Sequence, residues 1–345
     1  MNSYMEKQRL QYLDEIKGFA IILMVLAHAI AWSFEDWRPV MNPTVSTPNL
    51  VYAGLIWKFI YSFHMALFFL VSGYLLYKPL NVQGGVISGF KKKSIRLLIP
   101  YFVTGCLVTI IRPGFGYWFL FSLWELSVVG LAILYILEKI NKTNKLWIDI
   151  LVIVIGCFLV EKTRTIDWLT NPVADVRYGL SFYLPFMVGV LIRKYPMVEN
   201  YLSKFYSLIV ISFVVCFITR YIEFEQPIAE RLLGWIKTII SLTHATELLG
   251  SLTFYYMFKQ GINIKAGKML SYLGKHTFEI YVIHIFFVVR ISQVGAFWLE
   301  TNLPTCLATQ IVYSTVVTAI AVVLSLIIAG FIKHSKVLSK LFFGQ

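Results

Sequence analysis

Lys17 and His28 stand eleven residues apart in the apolar run LDEIKGFAIILMVLAHA. A cation and an imidazole at that spacing could hold an anion at one end of a helix and move a proton further along it. At about 100° and 1.5 Å per residue, eleven steps turn about 1100° and rise ~16 Å, which keeps both residues on one stripe. Asp14, three residues before Lys17, shares that face and can pair with it. Lys17 fits either a snorkelling interfacial position or an anion site. His28 fits either an interhelical hydrogen bond or a proton-transferring role. A second imidazole, His64, lies in FHMALFFLVSGY. Counted from Tyr77 it sits ~20 Å deep if that run is also a helix, close to the level of His28. Two imidazoles at one depth on sequential helices read as a site.

Other groups with chemical capacity are Glu125, His244 with Glu247, and Glu279 with His284, each within an apolar run. Ionisable groups at bilayer depth cost roughly 2.5–3.5 kcal/mol each on insertion scales, so they are usually paired or functional. His244 and Glu247 are three apart and can satisfy each other, whereas Glu125 has no local partner and is expected to face a polar cavity. His276 and His334 fall at the ends of apolar runs, where an interfacial place is expected. In FKKKSIRLLIPY the cations Lys91, Lys92, Lys93 and Arg96 cluster, with Lys93 and Arg96 on one helical face. That cluster suits contact with lipid headgroups, or a grip on a polyphosphate ligand.

The elements that must position these residues follow from composition. Hydrophobic residues make up 58% of the chain and charged residues 14%, with a mean hydropathy of +0.71. A soluble domain has roughly 45–50% and about 25%, so this chain has too few charges to clothe a water-facing surface, which argues strongly against a soluble enzyme. A crossing helix needs ~20 mostly apolar residues. Ten candidate runs emerge, the fifth and sixth short at 15 residues each: Ile16–Ser33, Leu55–Tyr77, Ser94–Ile111, Tyr117–Leu137, Leu146–Val160, Tyr178–Ile192, Phe205–Tyr221, Ile236–Phe258, Thr277–Val294 and Leu307–Ile332. With the N-terminus inside, the inner segments hold 21 of the 31 Lys and Arg, the bias expected of cytoplasmic loops. That bias also accounts for the +13 net charge without nucleic acid. The expected fold is an all-α polytopic membrane bundle of about ten helices, both termini cytoplasmic, forming one membrane domain over residues 1–345.

Ala27-His28-Ala29 imitates a signal-peptidase site, but it lies inside the apolar run and Asp14 and Glu15 precede that run, so the span is expected to be retained. Cys106, Cys157, Cys216 and Cys306 are dispersed without CxxC spacing, and no metal centre is expected. The chain has no GxxxxGK[ST], HExxH or GxSxG motif, which leaves a nucleotide-hydrolysing pump, a zinc protease or an α/β-hydrolase without support. Neither His28 nor His64 has an Asp five residues on, as the HxxxxD of glycerolipid acyltransferases would require.

At these residues the sequence resembles the integral-membrane acyltransferases of acyltransferase family three, and within it the fucose 4-O-acetylase-like branch. The family's basic residue, ten residues and histidine are matched by Lys17 and His28 after Leu13-Asp14. Its second-span stretch is matched by Phe63-His64 and Ser72-Gly73-Tyr74, and its third-span opening by Lys93, Arg96 and Pro100-Tyr101. Trp118-Phe119-Leu120, Leu273-Gly274-Lys275, Ile280-Tyr281 and His284 resemble later landmarks. The family often has Arg where this chain has Lys17 and Lys93; Lys keeps the charge and loses the bidentate fork.

The resemblance implies a multi-pass protein of the cytoplasmic (inner) membrane. It implies transfer of an acyl group, most often acetyl, from cytosolic acyl-CoA to a hydroxyl of a cell-surface or lipid-linked glycan. Acetyl-CoA would be the donor, with no metal. Lys93 and Arg96, with Lys17 and its neighbour Asp14, would hold the CoA phosphates. His28 would be general base or transient acyl carrier, and His64 or Glu125 would orient it or deliver the acceptor. The expected partners are acyl-CoA, the glycan acceptor and membrane lipids. A transporter or glycan flippase is the main rival, because intramembrane His and Glu also mark proton-coupled carriers; a sensor or scaffold with a decayed site is the third reading.

Overall fold

A computed structural model of the chain describes residues 2–32, 56–78, 85–111, 117–163, 179–221, 242–261, 266–288 and 303–345. Among the described residues there are thirteen α-helices and no strand. They are α1 (Asn2–Trp32), α2 (His64–Leu76), α3 (Gly85–Ile111), α4 (Trp118–Ile140), α5 (Leu146–Thr163), α6 (Tyr183–Lys194) and α7 (Pro196–Lys204). There follow α8 (Tyr206–Tyr221), α9 (Leu242–Lys259), α10 (Gly267–Lys275), α11 (Thr277–Ile283), α12 (Leu303–Lys333) and α13 (Lys336–Phe343). A 3₁₀ turn, His284–Phe286, continues α11. Helix is the outcome that bilayer physics demands, since a lipid-exposed backbone must satisfy its own N–H and C=O groups.

Each of the ten apolar runs contains a described helix. Four stretches are long and apolar enough to cross a membrane by themselves: Ile56–Leu76, Gly85–Ile110, Trp118–Ile140 and Ile311–Lys333. A fifth appears if α7 and α8, bent by 69°, count as one span. The architecture is that of a polytopic membrane bundle. Large apolar side chains point outward, as lipid-facing residues do: Phe158 on α5 is 71% exposed and Phe331 on α12 is 72% exposed. In the ninth run α11 continues into the 3₁₀ turn that ends at Phe286; residues 289–294 of that run, and the start of the eighth, lie outside the described residues.

The chain divides into two compact units, one of Met1–Met65 with Ser207–Phe331, the other of Ala66–Tyr206 with Ile332–Gln345. In the first unit α1 packs on α9, α10 and α11. Its closest approach uses glycines, because a Cβ at Gly18 would overlap the Leu270 carbonyl and one at Gly274 would overlap the Asp14 carbonyl. Small residues let membrane helices approach to backbone contact. These two pairings make α1 and α10 antiparallel. The chain reverses at His276, and α11 then runs back along α1. Phe19, Phe63, Phe213 and Phe254 fill the space between helices, with Phe63 stacked on Phe254 at 4.0 Å between ring centroids.

In the second unit the same device joins α2 to α6. A Cβ at Gly73 would meet the Phe186 carbonyl, and one at Gly189 the Leu70 carbonyl. The end of α6 is tied to α5 by a buried ion pair, Lys194 Nζ to Asp149 Oδ2 at 2.6 Å. Asn141 Nδ2 donates to the other carboxylate oxygen at 2.6 Å. The Asn141 side chain also bonds both the N–H and the C=O of Lys145, which fixes the α4–α5 turn. Burial, reinforced by the Asp149 charge, lifts the neighbouring Tyr195 phenol well above its ordinary range.

Candidate active site

The reversal between α10 and α11 places His284 against His28. Nδ1 of His28 lies 2.9 Å from Nε2 of His284. The ring planes are 14° apart with centroids 5.2 Å apart, which is the separation of two imidazoles bonded nitrogen to nitrogen in nearly one plane. His284 is buried, and its Nδ1 lies 3.0 Å from the Ile280 carbonyl and 2.8 Å from that of Tyr281. Carbonyl oxygens only accept, so Nδ1 of His284 must carry the proton. In the neutral ring Nε2 is then an acceptor, and it takes the hydrogen bond from Nδ1–H of His28. In neutral His28 the ring lone pair is then on Nε2. Two backbone carbonyls on α11 therefore set the tautomer of a histidine on α1. If His28 gains a second proton, the resulting imidazolium keeps its bond to His284, as an oriented imidazole does beside its partner.

Asp14 and Lys17 form the expected ion pair, Oδ1 to Nζ at 2.6 Å, with both side chains partly exposed. His64 is fully buried; its Nδ1 lies 2.8 Å from the Ile60 carbonyl one helical turn earlier, so Nδ1 carries the proton here too. The ring edge meets Tyr61, with centroids 4.7 Å apart. Among the described residues, Nε2 of His64 has no hydrogen-bond partner, and His64 makes no hydrogen bond or ring contact with His28. The imidazole that meets His28 is His284. Asp14, Lys17, His28, His64 and His284 all belong to the first unit, and Lys93, Arg96 and Glu125 to the second.

In the second unit Glu125 is buried on α4, one turn from Ser122. Both side chains lie against Gly179, where a Cβ would press on Oε2 of Glu125 and Oγ of Ser122. On α3, Lys93 is half-buried and Arg96 exposed. The helix begins at Gly85, nine residues before the expected span, so the whole cationic cluster is helical. This places Lys93 and Arg96 on one face, three residues apart. His276 Nδ1 lies 3.8 Å from the buried Glu279, while His244 and Glu247 are half-buried on α9. His284 is the functional candidate that residue-by-residue reading left among several intramembrane groups. Its signal was the Ile280-Tyr281 and His284 landmark of the resembling family.

An all-helical membrane bundle with a tautomer-fixed imidazole pair is equipped for proton transfer in group-transfer chemistry. The family model of an acyltransferase domain matches residues 10–330, and the chain belongs to acyltransferase family three. No curated protein and no solved structure matches it. The matched span takes in Asp14, Lys17, His28, His64, Lys93, Arg96, Glu125 and His284, and runs through both compact units. The protein is thus an acyltransferase of the multi-pass membrane type.

Proposed function

We propose that the protein transfers an acyl group, acetyl foremost, from cytosolic acyl-CoA to a hydroxyl of a cell-surface or lipid-linked glycan. This is the activity of the fucose 4-O-acetylase-like branch, carried out in the cytoplasmic (inner) membrane. The observation that carries the reading is the contact of His28 Nδ1 with Nε2 of His284, whose own Nδ1 faces two backbone carbonyls. Nε2 of His28 accepts the proton of the acceptor hydroxyl as its oxygen attacks the thioester carbonyl. The C–S bond then breaks, and His28 gives the proton to the departing CoA sulfur, which restores the neutral ring. In the acyl-carrier variant Nε2 attacks the thioester first and the CoA thiolate is released; the glycan oxygen then takes the acyl group from the imidazole, and its hydroxyl proton passes to the thiolate. Both routes need the same tautomer.

Lys93 and Arg96, with Lys17 held by Asp14, bind the CoA phosphates. Arg96 supplies the bidentate fork, and the two lysines act as point charges. His64 and Glu125 bind or deliver the acceptor. The reading is tested by mass spectrometry of surface and lipid-linked glycans from cells lacking the gene, complemented with wild type or His28→Ala. A mass step of one acyl group that returns with wild type alone is expected. Normal acylation with missing glycan export would overturn the reading in favour of a flippase.

A further inference from the structure

Helix α3 carries Pro100 in its interior. Proline has no N–H and its ring crowds the carbonyl four residues back, so the Arg96 carbonyl lacks its i+4 amide donor. The ladder of α3 is therefore one bond short at the turn that presents Arg96. At that turn α13 packs on α3. Helix α13 is N-capped by Ser335, whose hydroxyl accepts from Leu338 N–H at 3.3 Å. It ends at Gly344, in the left-handed region at φ 65°, with Gly344 N–H bonded to the Lys340 carbonyl at 3.0 Å. This is a left-handed glycine cap, which a side chain would strain. The same glycine lies directly on Arg96, because a Cβ there would come within 2.5 Å of its Cα and 2.7 Å of its carbonyl oxygen. Phe343, the residue before it, is completely buried, with Lys333 Nζ 5.9 Å from its ring centroid. The remainder of α13 is open: Val337 is 67% exposed.

We propose that α13 is a clamp on the proline-weakened turn of α3, and that Phe343 and Gly344 are positioning residues for Arg96. The clamp rests on the reading of Arg96 as a CoA-phosphate ligand. Phe343 sets how deeply α13 seats, and Gly344 sets how closely its end approaches the Arg96 backbone. The guanidinium stays exposed, and the backbone that aims it is held. The fork geometry that distinguishes Arg from Lys is useful only when so aimed.

The test uses the full chain in lipid nanodiscs, with CoA and 3′-dephospho-CoA as probes. Arg96→Gln weakens CoA about tenfold or more, the scale of a lost charge-assisted bond. Phe343→Ala and Gly344→Val weaken CoA roughly fivefold through misplacement of the fork, and both reduce its preference over dephospho-CoA, while Phe343→Leu retains most of it. Val337→Ser, on the open face, leaves both affinities unchanged. Pro100→Ala returns the missing donor, so the double variant Pro100→Ala with Phe343→Ala binds CoA nearly as the wild type does. Arg96→Gln losing affinity while Phe343→Ala and Gly344→Val keep wild-type affinity and preference would overturn the clamp alone. Loss in Phe343→Ala that Pro100→Ala leaves uncorrected would also overturn it, marking Phe343 as a general packing residue. Wild-type affinity in Arg96→Gln and Lys93→Gln would overturn the phosphate reading, and the clamp with it.

Discussion

At the scale of single residues the chemistry turns on which nitrogen carries which proton. His284 touches no reacting atom in the proposed step; it holds His28 in the tautomer that can accept. His284→Ala is therefore expected to lower kcat by about 10²-fold, within the range of general-base contributions, with the acetyl-CoA KM unchanged. Steady-state kinetics in vesicles check this, and a rise in KM alone would contradict the positioning role. The buried pair of Lys194 and Asp149 makes a second residue-scale prediction. Removing one partner strands the other charge, so Lys194→Met is expected to cost about 3–5 kcal/mol, and adding Asp149→Leu to recover much of it. Thermal unfolding in detergent reads both. Of these pairs the sequence disclosed Asp14 with Lys17, because three residues along one helix fix the geometry. It did not disclose His28 with His284, since 256 residues separate them and only the packing of two helices brings them together.

At the scale of elements the dyad depends on how α10 and α11 lie along α1. Gly18 and Gly274 allow backbone contact there. A side chain at either place must push the helices apart, so Gly18→Val and Gly274→Ala are each expected to destabilise by about 1–3 kcal/mol. They should lower kcat beyond that loss, because His284 moves away from His28. Activity measured on protein still folded by its melting curve separates the two effects. The ten helical runs were legible because apolar length and charge punctuation are one-dimensional signals. The beginning of α3 at Gly85 was not, since KKK reads as a loop unless the cations can reach water from a helix. The reversal at His276 was equally hidden: α10 and α11 are one short amphipathic helix and one short apolar one, Gly274 keeps a right-handed backbone in the last turn of α10, and no proline stands at the joint.

At the scale of the whole molecule, the family match covers nearly all of the chain. The membrane character follows from the long apolar helices. The excess of Lys and Arg in alternate segments predicts that single cysteines at positions 78 and 336 label from the cytosolic face alone, in intact cells against opened vesicles; labelling from outside would reverse the topology. Composition pointed to a membrane protein, and ordered motifs to the family that the match over residues 10–330 shows. The acceptor's chemistry was not legible, because no residue pattern here names a sugar. The most direct measurement is transfer of isotopically labelled acetyl from acetyl-CoA to endogenous glycan in vesicles carrying wild type or His28→Ala at equal levels. Label is expected on glycan oxygen with wild type, and at least about 10²-fold less of it with His28→Ala. Undiminished transfer by His28→Ala would contradict the role assigned to the histidine pair.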